Sequence, residues 1–265
     1  MKLACLGSGK MGTALLQGIV ARGVCAAREI AISDPSAAAL AGAAAAVPGV
    51  VTAPSNMEAA RDADVVLLCV KPAGIVPLIE SLGELPSKLL ISIAAGVTLS
   101  NMEVAAGPHR VVRVMPNTPA LIGKGAAAFS PGKNATDADC ALTEELLSAV
   151  GIVIRVPEKL LDAVTGLSGS GPAYIYTVIE ALADGGVAEG LTKEQALQLA
   201  AQTVAGAAAM VLQSGQHPAI LRDQVTSPGG TTIAGLAALE AKGLRSALIE
   251  AVRTAARRSR EMGQG

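Results

Sequence analysis

The stretch that decides the fold is Gly7-Ser8-Gly9-Lys10-Met11-Gly12, which follows the apolar run Leu3–Leu6 and opens an amphipathic helical pattern. This order of strand, glycine-rich turn and helix is typical of a dinucleotide-binding site. Gly7 permits the tight turn, Gly9 lets the backbone approach a pyrophosphate, and Gly12 allows the helix to pack closely on the strand. The helix N-terminus attracts the phosphate charge. The sequence therefore predicts a Rossmann-type domain at this end of the chain.

A second strand, Glu29 to Ser33, ends at Asp34, which lies 22 residues beyond Gly12. An acidic residue about 20 positions after the glycine turn is where a ribose 2′-hydroxyl is bound. Asp34 alone favours NAD over NADP, because a carboxylate repels a 2′-phosphate. Ser33 and Ser36 flank Asp34 and are able to donate to a phosphate, so the choice between NADPH and NADH stays open.

Three later strands end in loops rich in small residues, proline or lysine. Val65–Val70 stops at Lys71-Pro72, Leu89–Ile93 ends in Ala94-Ala95-Gly96, and Val111–Met115 leads into Pro116-Asn117-Thr118-Pro119. Ligands of open α/β sheets lie across the carboxyl ends of the strands, so these loops are expected to line the cofactor trough. Ordinary strand punctuation explains each loop, taken singly, equally well. Helix starts are predicted at Ser55-Asn56-Met57-Glu58 and at Ser100-Asn101-Met102-Glu103.

The strand pattern stops near Val156, and helical periodicity continues from Leu160 to Met262. The fold class is therefore α/β, with an N-terminal Rossmann-type dinucleotide-binding domain over residues 1–156 and an all-helical domain over residues 157–265. No linker rich in Pro, Gly and Ser separates the two halves, which indicates a packed junction.

The helical half contains one segment that favours an anion. Thr226-Ser227-Pro228-Gly229-Gly230-Thr231-Thr232 places four hydroxyls around a double glycine, where a helix is expected to begin at Thr231 or Thr232. Backbone amides and hydroxyls at such a helix start form a nest for an anion the size of a carboxylate. Ser168-Gly169-Ser170-Gly171-Pro172 is instead expected to be a loop before a helix, where backbones pack closely.

Composition and charge exclude several other classes of protein. A net charge of −1 with scattered charges argues against a nucleic-acid surface, and the arginines between 253 and 260 are interpreted as the end of a helix. The four cysteines lack C-x-x-C pairing and the two histidines lack metal-ligand spacing, so free thiols and no metal are expected. The apolar runs Val65–Val70 and Leu89–Ala95 are too short to span a membrane. Met1-Lys2-Leu3 leads directly into a strand, which favours a cytoplasmic protein without a signal peptide.

Six segments together resemble the Δ1-pyrroline-5-carboxylate reductases, which catalyse the last step of proline synthesis. In chain order they are Gly7–Gly12, Val70–Pro72, Ala94–Val97, Met115–Pro119, Gly166–Tyr174 and Ser227–Thr232. The resemblance covers the whole chain. It implies reduction of pyrroline-5-carboxylate to L-proline by hydride transfer from NADPH or NADH. It also implies that the helical domain serves dimerisation and substrate binding, giving dimers and, in many members, decamers.

The resemblance also assigns site residues. Cofactor binding is implied for Leu6, Gly7, Ser8, Gly9, Lys10, Met11, Gly12, Ser33, Asp34, Asn56, Cys69, Val70, Lys71, Pro72, Ala94, Ala95 and Gly96. Substrate binding is implied for Glu158, Gln224, Ser227, Gly230, Thr231 and Thr232. Some members of the family carry Asn in place of Gln224 and Ala in place of Thr231.

Thr232 is implied to be the catalytic residue, through a hydrogen bond to the substrate nitrogen. A protonated cyclic imine accepts hydride readily, so positioning and electrostatics supply most of the acceleration, and no histidine or metal is needed. A threonine hydroxyl is a poor acid, which favours orientation of the substrate over proton donation, although both roles stay open.

Two other functions compete with this interpretation. A different reductase with a Rossmann and a helical domain, such as a 3-hydroxyacid dehydrogenase, would place a catalytic lysine in the helical part, where Lys159, Lys193 and Lys242 have ordinary solvent-face patterns. A non-catalytic NAD(P)-binding regulator would keep Gly7–Gly12 and lose the anion nest. Residues 226–232 are intact, which favours the enzyme.

Overall fold

The chain divides into two compact units in the computed structural model, which describes residues 1–83 and 85–263. The first unit contains residues 1–170 together with those from Arg253 onward, and the second contains Gly171–Val252. The sequence predicted a domain boundary between residues 156 and 157. In the structure, residues 157–170 and the end of the chain belong instead to the unit that contains the sheet.

An eight-stranded sheet lies at the centre of the first unit. Its strands are β1 (Leu3–Leu6), β2 (Ile30–Ser33), β3 (Val51–Thr52), β4 (Val65–Leu68), β5 (Leu89–Ser92), β6 (Arg110–Met115), β7 (Gly125–Pro131) and β8 (Gly151–Arg155). They are ordered β3-β2-β1-β4-β5-β6-β7-β8, and the pairing is parallel except between β6 and β7. The first six strands have the Rossmann order, which confirms the predicted fold class.

The central strands are buried on both faces of the sheet. Every residue of β1, β4 and β5 is buried. Successive side chains of a strand point to opposite faces, so Leu3 and Cys5 belong to one hydrophobic cluster while Ala4 and Leu6 belong to the other. This double burial explains why these strands are continuous apolar runs.

Helices cover both faces of the sheet. Those that lie wholly in the first unit are α1 (Lys10–Ala21), α2 (Ala37–Ala46), α3 (Asn56–Arg61), α4 (Ile75–Glu80), α5 (Leu99–Ala106), α6 (Asp137–Ser148) and α7 (Leu161–Val164). The sequence analysis did not assign β3, α2 or α4. The Ser55 hydroxyl caps α3 by accepting from the Glu58 amide at 3.2 Å, as predicted. The predicted cap at Ser100 is wrong, because Thr98 accepts from the Asn101 amide at 3.2 Å and Ser100 lies inside α5.

The second unit is helical, as predicted. It contains α8 (Gly171–Ala188), α9 (Lys193–Ser214), α10 (Pro218–Gln224), α11 (Thr231–Ala241) and the first part of α12 (Leu244–Met262). Thr192 and Gln195 cap α9 reciprocally, and Gly190 has a positive φ of 99° after α8. Helices α8 and α9 pack through the small side chains of Ala183, Ala196 and Ala200.

Much apolar surface of the second unit is exposed. This surface, called here the apolar surface of the second unit, comprises Ile175, Tyr176, Leu182, Val187, Leu191, Leu197, Leu199, Met210, Leu212, Ile220, Val225, Ile233, Leu239, Leu244, Leu248 and Ile249. Among the described residues one helix, α9, is long and apolar enough to cross a membrane by length and composition alone. Helix α9 contains no long uninterrupted apolar run and was therefore not singled out from the sequence.

The segment from Ser168 to Pro172 is less irregular than predicted. A π-helical turn covers Thr165–Gly169, and α8 begins at Gly171. A Cβ at Gly169 would lie 2.5 Å from Cε of Met115, so this glycine does permit the close packing that the sequence analysis expected.

His109, between α5 and β6, is buried and bonded on both ring nitrogens. Its side chain is 1% exposed. The Lys88 amide donates to Nδ1 at 3.2 Å, and Nε2 lies 3.1 Å from the Leu82 carbonyl, an arrangement that requires the neutral tautomer with the proton on Nε2. Burial lowers the pKa of His109, the Leu82 carbonyl opposes this shift, and the charges of Lys88 and Arg110 add to it.

We expect His109 to make the fold sensitive to mild acid. The unfolded chain protonates this residue at its ordinary pKa of 6.5, above that of the folded chain. The free energy of unfolding therefore falls as the pH drops below that value, by no more than about 1.4 kcal/mol per pH unit. Denaturant unfolding at a series of pH values measures this slope. The His109→Asn variant should have a shallower slope than the unmodified chain. Equal slopes in the two proteins would contradict the prediction.

Candidate cofactor and substrate sites

The turn after β1 accepts only glycine at its first position. Gly7 has a φ of +101°, a conformation that L side chains rarely adopt. A Cβ there would also lie 2.5 Å from the Cys69 carbonyl oxygen and 3.1 Å from Cγ1 of Val70. The turn after β1 therefore packs directly against the end of β4. The two loops meet at the carboxyl edge of the sheet, as predicted.

The other two glycines of the turn face different surroundings. A Cβ at Gly12 would lie 2.5 Å from the Gly7 carbonyl oxygen and 3.3 Å from Sγ of Cys5, so this glycine lets α1 pack on β1. Among the described residues, and apart from its own chain neighbours, a Cβ at Gly9 would have no atom within 4 Å. The space beside Gly9 is thus open at the point where the sequence predicts a pyrophosphate.

The start of α1 has the features of an anion-binding site. Gly9 is its N-cap and no side chain caps it, so the first amides of the helix have no side-chain acceptor. The Ser8 side chain is 4% exposed, and among the described residues its Oγ atom has no hydrogen-bond partner. A buried hydroxyl without a partner needs an explanation, and a phosphate oxygen supplies one. The residues present therefore fit a dinucleotide pyrophosphate.

Asp34 joins the glycine turn to the loop after β2. Its Oδ2 accepts from the Ser8 amide at 2.7 Å, and its Oδ1 accepts from the Ser36 amide at 2.8 Å. The Gly7 amide donates to the Ser33 carbonyl at 2.9 Å. The Ser36 hydroxyl caps α2 by accepting from the Ala39 amide at 3.3 Å. The carboxylate predicted to bind a ribose is thus held in one orientation by the backbone.

The remaining predicted cofactor residues of the first unit follow β3, β4 and β5. Asn56 is half-buried at the start of α3, Cys69 and Val70 are half-buried after β4, and Lys71 and Pro72 are exposed. Ala94, Ala95 and Gly96 follow β5, where Gly96 has a φ of +77°. The end of α12 reaches this loop, since Met262 Cβ would lie 3.5 Å from a Cβ at Gly96. Sequence reasoning missed this contact.

Asn117 gives the loop after β6 a structural role. Its Nδ2 donates to the Ser168 carbonyl at 3.0 Å, and its Oδ1 accepts from the Ala126 amide at 2.8 Å. The side chain is 8% exposed. The sequence left open whether this loop lines the cofactor trough or only ends a strand. The two hydrogen bonds account for Asn117 as a structural residue.

Glu158 belongs to a cluster of charged side chains in the first unit. Its Oε1 accepts from Nη1 of Arg113 at 2.9 Å and from the Leu99 amide at 2.6 Å. Arg113 lies 4.0 Å from Asp162, which accepts from the Ser259 hydroxyl at 2.6 Å. Sequence reasoning missed the other three side chains, although an arginine inside the apolar strand β6 was an available signal. One oxygen of Glu158 is thus engaged in structure, and its substrate role stays a prediction.

The predicted anion nest lies at the start of α11 in the second unit. Gly230 is the N-cap of α11 and no side chain caps it, and its amide donates to the Ser227 carbonyl at 3.1 Å. Gly229 has a φ of +68°. A Cβ at Gly230 would overlap Oγ of Ser227, so a larger residue there would require the Ser227 hydroxyl to move. The helix starts at Thr231, one of the two predicted positions.

The hydroxyls of the nest are not all available. The Thr226 hydroxyl donates to the Arg222 carbonyl at 2.7 Å and so belongs to the end of α10, which corrects the expectation of four converging hydroxyls. Thr231 is exposed and Thr232 is half-buried, and in the described part of the chain neither hydroxyl has a partner. Gln224 is exposed, and its Nε2 donates to Oε1 of Gln216 at 3.2 Å.

Two thiols lie beneath the glycine turn. A hydrogen bond with Cys5, followed by burial, raises the pKa of Cys69 well above its ordinary value. Cys69 therefore stays a neutral thiol and is a poor nucleophile. Within residues 1–83 and 85–263, no group of three His, Cys, Asp or Glu side chains is placed to hold a metal ion.

Comparison with known proteins decides the family. Residues 158–262 match the model described as pyrroline-5-carboxylate reductase dimerisation, and residues 2–96 match NADP oxidoreductase coenzyme F420-dependent. The pyrroline-5-carboxylate reductase of Methanosarcina acetivorans is 48% identical over 99% of this chain and 98% of its own length. The chain belongs to the pyrroline-5-carboxylate reductase family. The reductase of Glycine max is 47% identical over 98% of this chain and 95% of its own length.

Solved structures of the pyrroline-5-carboxylate reductase family have the same fold. The enzyme of Coxiella burnetii is 38% identical and superposes with a TM-score of 0.93 over 98% of both chains. The Plasmodium falciparum enzyme, solved with NADP bound, is 34% identical and has a TM-score of 0.88 over 99% of this chain and 98% of its own. The Rossmann-type and helical parts predicted from sequence are therefore confirmed. Family membership also sets aside the 3-hydroxyacid dehydrogenase alternative.

Proposed function

We propose that this chain reduces Δ1-pyrroline-5-carboxylate to L-proline, with NADPH or NADH as the hydride donor, in proline biosynthesis. The observation that supports this most directly is a pair of helix starts without side-chain caps, α1 at Gly9 and α11 at Gly230. One such start suits a pyrophosphate and the other suits a carboxylate.

The first unit would hold the cofactor. The amides at Gly9 and Lys10 and the hydroxyl of Ser8 would bind the pyrophosphate, and Asp34 would bind the adenosine ribose. The loops at Val70–Pro72 and Ala94–Gly96 would lie beside the nicotinamide, as the family resemblance implies. The bound cofactor supplies a hydride.

The second unit would hold the substrate carboxylate. The Ser227 hydroxyl and the amides of Thr231 and Thr232 would bind its oxygens, where the positive end of the α11 dipole favours a negative charge. The Gly230 amide would hold the turn itself, since it donates to the Ser227 carbonyl. Thr232, the second residue of α11, would direct its hydroxyl at the ring nitrogen. Glu158 and Gln224 are assigned to the substrate by the family resemblance.

The reaction consumes one hydride and one proton. The hydride adds to the imine carbon, the carbon–nitrogen double bond becomes single, and the nitrogen keeps the proton that it carried as an iminium. No protein group must change its protonation state if the substrate arrives protonated, so Thr232 acts by orientation and water buffers the proton. Amides and hydroxyls suit a site of this kind, because they orient the substrate by hydrogen bonds while water carries the proton.

Steady-state kinetics with pyrroline-5-carboxylate and each reduced cofactor tests the proposal. We expect oxidation of the cofactor to be matched by an equal amount of proline. A chain that binds either cofactor but oxidises neither in the presence of the substrate would be a regulator, the alternative left by the sequence analysis, and the proposal would be wrong.

We further propose that the chain works as a homodimer, with the decamer of many family members as its larger assembly, in the cytoplasm. The apolar surface of the second unit supports the dimer, because a monomer would present many large apolar side chains to water. The matched dimerisation model over residues 158–262 supports it also. Burial between subunits accounts for the composition of α9 without a membrane.

Light scattering measures the assembly. For a chain of 26.3 kDa we expect a mass of at least two chains at micromolar concentration. Leu199 is 58% exposed on α9. Leu199→Glu should shift the mass toward one chain, because a charge buried in an apolar interface is costly. The neighbouring exposed change Gln198→Glu adds the same charge and should leave the mass unaltered. A stable monomer of the unmodified chain would contradict the proposed assembly.

A further inference from the structure

We propose that Asp34 selects the cofactor and makes this chain favour NADH over NADPH. The inference rests on the proposed function, because it concerns the cofactor of that reaction. The sequence leaves the preference open between a carboxylate that repels a 2′-phosphate and two serines that are able to donate to one. In the structure the carboxylate is held in one orientation, and the Ser36 amide is no longer available to a phosphate.

Asp34 is a fixed hydrogen-bond acceptor at the carboxyl end of β2. Its two oxygens each accept one backbone amide, from Ser8 at 2.7 Å and from Ser36 at 2.8 Å. A carboxylate has about four acceptor positions, so roughly two remain. These positions suit the 2′- and 3′-hydroxyls of a ribose. Because the backbone holds the carboxylate in place, it cannot turn away to admit a 2′-phosphate without breaking both bonds.

Only part of the donor set near Asp34 remains available to a phosphate. The Ser36 amide already donates to Asp34, and the Ser36 hydroxyl accepts from the Ala39 amide at 3.3 Å to cap α2, which leaves only its own O–H to donate. Ser33 is 5% exposed within the sheet. The start of α2 therefore has fewer free donors for an anion than its sequence suggested.

No positive charge on this loop offsets the carboxylate. Residues 35–46, which include all of α2, contain neither lysine nor arginine. Arg28 precedes β2 and so lies at the opposite end of that strand. Lys10 is the first residue of α1, where the pyrophosphate is expected. A 2′-phosphate would thus meet one fixed negative charge without a cation from its own loop.

Equilibrium binding of NADH and NADPH, followed by cofactor fluorescence without substrate, tests the inference. We expect the unmodified chain to bind NADH at least about tenfold more tightly than NADPH. Asp34→Asn keeps the size and an acceptor for Ser36 but removes the charge, and Asp34→Ser also removes the bulk. Each should lower the ratio of the two affinities by about tenfold or more. Asp62→Asn, which precedes β4 at the amino end of the sheet, should leave the ratio unchanged.

The ratio of the NADH and NADPH affinities distinguishes the effect of the Asp34 charge from damage to the glycine turn. Loss of the bond to Ser8 would weaken both cofactors equally, and thermal unfolding of each variant shows whether the fold persists. Tighter binding of NADPH by the unmodified chain would overturn the inference, as would an unchanged ratio in both Asp34 variants. Failure of the proposed function would look different, since NADH would bind and pyrroline-5-carboxylate would not be reduced.

Discussion

Thr232→Ala is expected to lower kcat for reduction of pyrroline-5-carboxylate by about 10- to 1000-fold, with a smaller change in KM. The N-cap of α11 is Gly230, which offers no side-chain cap, and in the described residues the Thr232 hydroxyl has no partner. The hydroxyl is therefore free to bond the substrate nitrogen. Alanine keeps the backbone amides that would hold the carboxylate, which is why binding should suffer less than turnover. Steady-state kinetics at saturating cofactor measures both constants.

Thr232→Ser is the matched control, because it restores the hydroxyl and removes only a methyl group. We expect it to recover much of the lost kcat. Near-normal kcat in the alanine variant, or no recovery with serine, would show that the hydroxyl has no catalytic role. Capping is a poor alternative explanation for this residue, since Thr232 is the second residue of α11 and the N-cap is Gly230.

Gly9→Val is expected to weaken binding of both NADH and NADPH by on the order of 100-fold, equivalent to about 2.7 kcal/mol, while the fold persists. The valine side chain would enter the open space beside the turn, where the pyrophosphate is expected. A Cβ there has no atom of the described residues within 4 Å, its chain neighbours excepted. The φ of −69° and ψ of −177° at Gly9 are accessible to valine. Titration of cofactor fluorescence measures the affinity, and thermal unfolding checks the fold.

Gly12→Val is the contrasting variant on the same turn. Its side chain would meet the Gly7 carbonyl oxygen at 2.5 Å, an atom of the backbone that cannot move aside without disturbing β1 and α1. We expect Gly12→Val to lower the temperature of unfolding, and Gly9→Val to leave it nearly unchanged. Unaltered cofactor affinity in Gly9→Val would mean that the turn is not the cofactor site.

Some features followed from sequence because they depend on local chemistry. The glycines of the first turn were predicted from conformational freedom and close approach, and the positions of Gly7 and Gly12 confirm that reasoning. The buried strands β4 and β5 were recognisable as apolar runs. The two residues of β3 carry no such pattern, since Val51 and Thr52 are both exposed. The cap of α5 was misassigned because Thr98 and Ser100 are both plausible caps, and only the backbone path chooses between them.

The sequence by itself determined the Rossmann-type first half, the helical second half and the two glycine-bearing helix starts, because periodicity and glycine conformation act within a few residues. Only the tertiary structure decided the partners of charged and polar side chains. Asp34 meets the amide of Ser8, 26 residues away in the chain, and Asp162 meets Ser259, 97 residues away. Such pairs form when the whole sheet and its helices have closed around the core, and no local pattern encodes them. The same closure holds the Asp34 carboxylate in one orientation and engages one oxygen of Glu158 with Arg113.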